Sequence, residues 1–122
     1  MSYLVRPGVT RFLLELSTLY EIVVFTAALQ EYADWILNQI DHKKCISHRL
    51  YRQHTHRKPD FAMKDLSMLG RDLKKTIIVD NIEENYRYLH PDNGIQIKSW
   101  FDDLEDRELD KLLPFLVSIA EK

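Results

Sequence analysis

Thr26, Lys64, Asp80 and Asn81 are the residues whose types and surroundings could do chemistry in this sequence. In KKTIIVDN, the strand-prone residues Thr76 to Val79 run straight into Asp80 and Asn81. A buried parallel strand ending this way presents a carboxylate at the C-terminal edge of its sheet, where open α/β sheets place their sites. The plainer reading is that Asp and Asn stop the strand and start a turn. In the first case Asp80, supported by Asn81, could ligate a hard cation such as Mg2+. Thr26 follows the apolar run YEIVVF. Its hydroxyl and the amides after it could hold a phosphate at a helix N-terminus, or Thr26 could simply cap that helix. Lys64 precedes LSMLGRD and could neutralise a phosphoryl group as a point charge, although most lysines are solvated. Arg49 and Arg52, with Tyr51 between them, could form a strip that recognises anions.

Other polar residues point to less. His54 and His56 stand at i, i+2 with no third ligand at suitable spacing, which argues against Zn2+. Nothing beside Cys45 would lower its thiol pKa, so it reads as structural. Trp35, Trp100 and Phe101 read as core or rim packing. The acidic run from Asp102 to Asp106 reads as a loop and helix start, where the helix dipole favours acids.

The elements that must position these residues follow from apolar spacing. Tyr3 to Val5 is a short extended run that stops at Pro7. Val9, Phe12, Leu13, Leu16 and Leu19 recur at three and four, which predicts an amphipathic helix. Tyr20 to Phe25 reads as a buried strand and Leu29 to Ile40 as a helix. Ile46 to Tyr51 is a further strand candidate, Leu66 to Leu69 a single helical turn, and Thr76 to Val79 a strand. A polar turn follows Asn81, and His90 to Gly94 is a strong turn signal. Ile95 to Ile97 alternates as a short strand, and Asp106 to Ala120 has helical period, with Pro114 predicting a kink or break. Strands alternating with helices predict an α/β fold, a parallel sheet with flanking helices. Right-handed crossovers would bring Thr26 and Asp80 to one edge of it.

Composition narrows the class. The 122 residues carry 17 basic and 19 acidic side chains, a formal net charge of −2. That balance argues against nucleic-acid binding through bulk charge. One cysteine excludes an intrachain disulfide. No apolar run approaches the length of a membrane span, and the N-terminus lacks the apolar core of a signal peptide. The length suits one domain, residues 1–122.

Taken in order, VRPGVTRFL, YEIVVFTAALQEYAD, RLYRQH, MKDLSMLGRDL, IIVDN and HPDNGIQIKSWFDD resemble the NIF-like phosphatases of the haloacid dehalogenase superfamily. That group, of the FCP1-homology type, includes the small phosphatases of the RNA polymerase II C-terminal domain and the Dullard-like lipin phosphatases. The resemblance spans about Leu4 to Leu116. It implies a Rossmann-like, haloacid dehalogenase-like fold and Mg2+-dependent hydrolysis of phosphoserine or phosphothreonine in a phosphoprotein or phosphopeptide, through an aspartyl-phosphate. It also implies an intracellular setting, nuclear or cytoplasmic rather than mitochondrial. By resemblance Thr26 binds phosphate, Lys64 stabilises the transferring phosphoryl group, Asp80 ligates Mg2+ with Asn81 beside it, and Tyr32 and Arg52 line the peptide groove.

One departure qualifies this. The family's nucleophile and acid/base are the two acids of Asp-x-Asp-x-Thr or Asp-x-Asp-x-Val on its first strand. No segment here has that pattern, and neither Thr26 nor Lys64 can replace an activated carboxylate nucleophile. The expectation is therefore a truncated phosphatase domain without its first strand and inactive alone, whose exposed sheet edges invite self-association. The alternative is a non-catalytic peptide- or partner-binding relative, as in the presequence-receptor subunit of the mitochondrial translocase. A receiver-like domain would need an acidic cluster after its first strand, and none is present.

Overall fold

The computed structural model describes residues 3–121; the outermost residues of the expected 1–122 domain lie outside it. In chain order the elements are α1 (Val9–Leu16), β1 (Ile22–Phe25), α2 (Gln30–Ile40), β2 (Ile46–Leu50), β3 (His56–Arg57), β4 (Ala62–Met63), β5 (Ile78–Asp80), α3 (Glu84–Arg87), β6 (Gly94–Gln96) and α4 (Glu108–Ala120). Short 3-10 turns cover Leu66–Leu69 and Pro91–Asn93. The expected α/β class with parallel pairing holds: β1 pairs parallel with β2, and β5 parallel with β6. β3 and β4 form a small antiparallel hairpin.

Strand alternation decides which side each β5 residue serves. Ile77 and Val79 pack with Leu16, Leu113 and Leu116 of α1 and α4, while Ile78 faces Leu66 and Tyr86. Asp80, two residues on from Ile78, is therefore delivered to the Leu66 and Tyr86 side. Burying leucines such as Leu113, 3% exposed, stabilises by roughly 1.5–3 kcal/mol each. Three such leucines on α1 and α4 hold those helices to one face of the β5 pair.

The two parallel pairs are not joined by hydrogen bonds. Between β1 and β5 lies an apolar groove of about 600 Å3, lined by Ile22, Val24, Ile77, Val79, Leu16 and Leu116 among others. All four β1 residues are consequently only half-buried, although their apolar run reads as a strand covered on both sides. Arg71 bridges to Glu21, just before β1, through two hydrogen bonds of 2.7 and 2.9 Å. At the other end the Lys64 ammonium lies 5.9 Å from the centre of the Phe25 ring.

Two expectations need correction. The segment after Asn81 is not only a turn but includes the helical turn α3. And of the kink or break expected at Pro114 the break does not occur, since α4 continues through it: the lost N–H bond and ring clash cost about 3 kcal/mol, which the buried Leu109, Leu113 and Leu116 offset.

Gly94 shows how tightly the second cluster is packed. A Cβ there would sit 1.9 Å from Tyr86 Cε1, and the Tyr86 ring is only 4% exposed. Gly94→Ala should therefore cost about 1–3 kcal/mol by overpacking. A urea titration of Gly94→Ala, alone and with Tyr86→Leu, checks this, because the second substitution should recover much of the loss.

Candidate functional site

Lys64 directly follows the hairpin and Asp80 ends β5, so two short extended segments bring the two side chains together. Lys64 Nζ donates to Asp80 Oδ2 at 2.7 Å, with the side chains 9% and 4% exposed. An ion pair this deep is sustained only if its remaining polar atoms are also bonded. On the carboxylate they are: Asn85 Nδ2 donates to Oδ2 at 3.2 Å, and the Ile82 N–H donates to Oδ1 at 3.0 Å. The backbone of the lysine segment is anchored too. The N–H groups of Ala62, Lys64 and Leu66 donate in turn to Asn85 Oδ1, the Asn85 carbonyl and His90 Nε2. These N–H groups point the same way because an extended chain repeats every two residues. The segment from Asn85 to His90 thus acts as a neighbouring strand would.

Thr26 lies directly after β1, half-buried. Its hydroxyl accepts the Ala28 N–H at 3.0 Å. It does not cap the helix, since α2 begins after Leu29 with no side-chain cap. Its O–H proton has no partner among the described residues. Arg52 packs on the same turn: Nε donates to the Ala27 carbonyl at 2.7 Å, and its N–H to the Ala28 carbonyl at 3.1 Å. Arg52, just after β2, therefore packs on the Thr26 loop at the end of β1, while Lys64, just after β4, meets Asp80 at the end of β5. Phe25 under the Lys64 ammonium connects the two.

The other expected residues stand further out. Asn81 is exposed, and its amide donates to Ser99 Oγ at 3.0 Å instead of supporting Asp80. Tyr32 lies on the open side of α2, 41% exposed, with its ring tilted against Trp35 at 6.3 Å. The anion strip is broken up: Arg49 is drawn to Asp34 at 2.9 Å and to Asn38 at 3.0 Å, and the Tyr51 hydroxyl also donates to Asp34. The Tyr51 and Arg49 bonds hold the Asp34 carboxyl below its usual range, as in a structural anchor for α2. Of that strip only Arg52 stays beside the candidate site. His54 accepts the Tyr51 N–H through Nδ1. Phe101, expected in packing, is 82% exposed.

Among the described residues no three His, Cys, Asp or Glu side chains cluster as a metal site. Asp80 alone supplies one carboxylate, with Oδ2 taken by Lys64 and Asn85 and Oδ1 bonded once. That donor set suits Mg2+, which is held by one or two carboxylates, waters and substrate phosphates. It is incomplete until a second oxygen ligand is supplied.

Sequence reasoning missed Asn85 and His90. Asn85 sits in an unremarkable polar stretch after Asn81, and only HPDN marked His90, as a turn. Next to Lys64, Asp65 receives hydrogen bonds from the Ser67 hydroxyl and N–H and lies 3.0 Å from His90 Nε2. The hydrogen bonds from Ser67 lower its pKa from 3.8 to about 2. Because the folded value lies below the unfolded one, its stabilisation is present above about pH 4 and fades as pH falls towards 2. Asp65→Ala should cost about 1 kcal/mol at neutral pH, as for a lost cap. Urea midpoints of the two proteins, measured down the acid range, should converge.

The family model described as NLI interacting factor-like phosphatase matches residues 1–122. The chain is similar to a probable C-terminal domain small phosphatase of Dictyostelium discoideum, with 52% identity over 111 residues, 91% of this chain and 36% of the relative. It is also similar to human carboxy-terminal domain RNA polymerase II polypeptide A small phosphatase 1, with 41% identity over 115 residues, 94% of this chain and 44% of the relative. The chain thus spans less than half the length of either. Among solved structures, fission yeast RNA polymerase II CTD phosphatase Fcp1 matches with a TM-score of 0.64 over 95% of this chain and 35% of that one, at 23% identity. That likeness concerns the fold.

Proposed function

This chain belongs to the NLI interacting factor-like phosphatases, and on that premise we propose that residues 1–122 form the phosphate-binding part of one Mg2+-dependent serine/threonine phosphoprotein phosphatase domain of the haloacid dehalogenase type. The observation that carries the reading is the buried Lys64–Asp80 pair at the mouth of the groove between β1 and β5.

Phosphoryl transfer needs positioned cations and donors more than covalent help from many groups. Lys64 holds a fixed positive charge where a phosphoryl oxygen would lie. The Thr26 hydroxyl, oriented by the Ala28 N–H, keeps its proton free to donate to another. Arg52, anchored through Nε, turns its remaining N–H groups to the phosphate or to an acid of the peptide. Tyr32 offers an exposed aromatic face to the same peptide. Asp80, with Asn81 at the rim, is the protein side of the Mg2+ site, and Mg2+ when bound neutralises charge on the phosphoryl oxygens.

The nucleophile is a carboxylate absent from these 122 residues. A strand laid in the groove between β1 and β5 would pair with both, close the sheet and bring that carboxylate beside Lys64. The groove's apolar lining and the half-buried β1 support this, as does the greater length of the relatives. Without that strand the chain is a truncated domain, inactive alone and prone to self-association through its open edges. The substrate is a phosphoprotein, and the setting nuclear or cytoplasmic, on the strength of relatives named for RNA polymerase II. Among the described residues no helix is long and apolar enough to cross a membrane.

The test is the full-length protein with an aryl phosphate and a phosphoserine peptide, with and without Mg2+. Hydrolysis that EDTA abolishes is the expected result. Phosphopeptide binding without turnover would favour the non-catalytic relative instead.

A further inference from the structure

We infer that Asn85 is a positioning residue that couples Lys64 to Asp80. The inference rests on the phosphatase reading for its kinetic consequence, though not for its geometry. Asn85 is 3% exposed and makes three contacts that meet at the site. Its side-chain N–H donates to Asp80 Oδ2, the same oxygen that receives Lys64 Nζ. Its side-chain oxygen accepts the Ala62 N–H at 3.1 Å, and its backbone carbonyl accepts the Lys64 N–H at 2.7 Å. One residue of α3 thus grips the lysine strand at two points and the carboxylate at a third.

The arrangement has a purpose that packing alone would not require. A carboxylate held only by a flexible ammonium can rotate about its Cβ–Cγ bond and exchange its oxygens. With Asn85 and Lys64 both on Oδ2 and the Ile82 N–H on Oδ1, the two oxygens are distinguished. Oδ2 is committed to the protein, and Oδ1 keeps capacity for an outside ligand. Asn suits the position because its amide donates and accepts at once. An aspartate would match its shape but put an oxygen against Oδ2, and an alanine would leave the Ala62 N–H and one lone pair of Asp80 without a partner in a dry site.

Asn85→Asp and Asn85→Ala in the full-length protein test this, with kcat and KM on a phosphopeptide and the NMR signal of the Lys64 side-chain ammonium as readouts. Loss of an outer hydrogen bond of this kind typically lowers activity about 10- to 100-fold. We expect that loss in kcat, with KM within about threefold, and a shifted or exchange-broadened Lys64 ammonium in both variants. The inference is overturned if either variant only lowers the melting temperature while the folded enzyme keeps its kcat and the Lys64 signal is unchanged. If the unsubstituted protein hydrolyses nothing with Mg2+, the phosphatase reading fails, and the Lys64 signal alone decides the role of Asn85.

Discussion

Asp80→Ala is expected to destabilise the fold by about 3–5 kcal/mol, because it leaves a buried ammonium without its counter-charge. The Lys64 and Asp80 side chains are 9% and 4% exposed and meet at 2.7 Å. Once the carboxylate is gone, the only charge-accepting neighbour described for Nζ is the Phe25 ring, 5.9 Å from its centre. A cation–π contact of roughly 1–2 kcal/mol does not replace a carboxylate. Asn85 Nδ2 and the Ile82 N–H lose their acceptor at the same time. Removing both charges is a different matter, since a buried pair exchanged for apolar residues of similar volume is often neutral or stabilising. Lys64→Met with Asp80→Leu should therefore recover most of the stability that Asp80→Ala loses. Urea midpoints of the three proteins give the answer, and a loss below about 1 kcal/mol for Asp80→Ala, the size of an exposed pair, would show that the pair is solvated in solution.

The second large effect is on the reaction. Lys64→Met in the full-length enzyme should reduce kcat by about 10²–10³-fold, the cost of removing one preorganised donor aimed at developing charge. Lys64→Arg should not rescue it. The guanidinium is a planar fork in place of a compact ammonium. Because Lys64→Met also leaves Asp80 unpaired, kcat must be referred to the folded fraction. The Lys64→Met, Asp80→Leu protein serves as the folded but inactive reference. Hydrolysis by that double variant at even a tenth of the normal rate would remove Lys64 from the mechanism.

Much of the fold was legible because it rests on local spacing. The helical period from Val9 to Leu19 and from Leu29 to Ile40, the apolar run before Thr26 and the alternation at Ile95 all depend on neighbours within a turn or two. The structure places elements there. The fate of Pro114 was not legible, since its breaking tendency is local whereas the burial of Leu109, Leu113 and Leu116 that overrides it is tertiary. Arg49 and Arg52 looked alike as a basic strip. One is spent on Asp34 in the preceding helix and the other on the loop after β1, a division that depends on the register of β1 against β2.

The sequence by itself determined the α/β class, the order of the longer helices and the parallel strands, the family, and the delivery of a carboxylate by the end of β5. Each of these is written in short blocks whose meaning does not depend on distant residues. Only the tertiary structure decided what the carboxylate meets: Lys64, 16 residues away, and Asn85, which had no signal of its own. It also separated Asn81 from the pair, by turning its amide to Ser99, and opened the apolar groove between β1 and β5. The physical reason is common to all three. Ion pairing, carboxylate orientation and strand neighbours are contacts between segments far apart in the chain, and they exist only once the burial of Ile77, Ile78 and Val79 on opposite faces of one strand has brought those segments together.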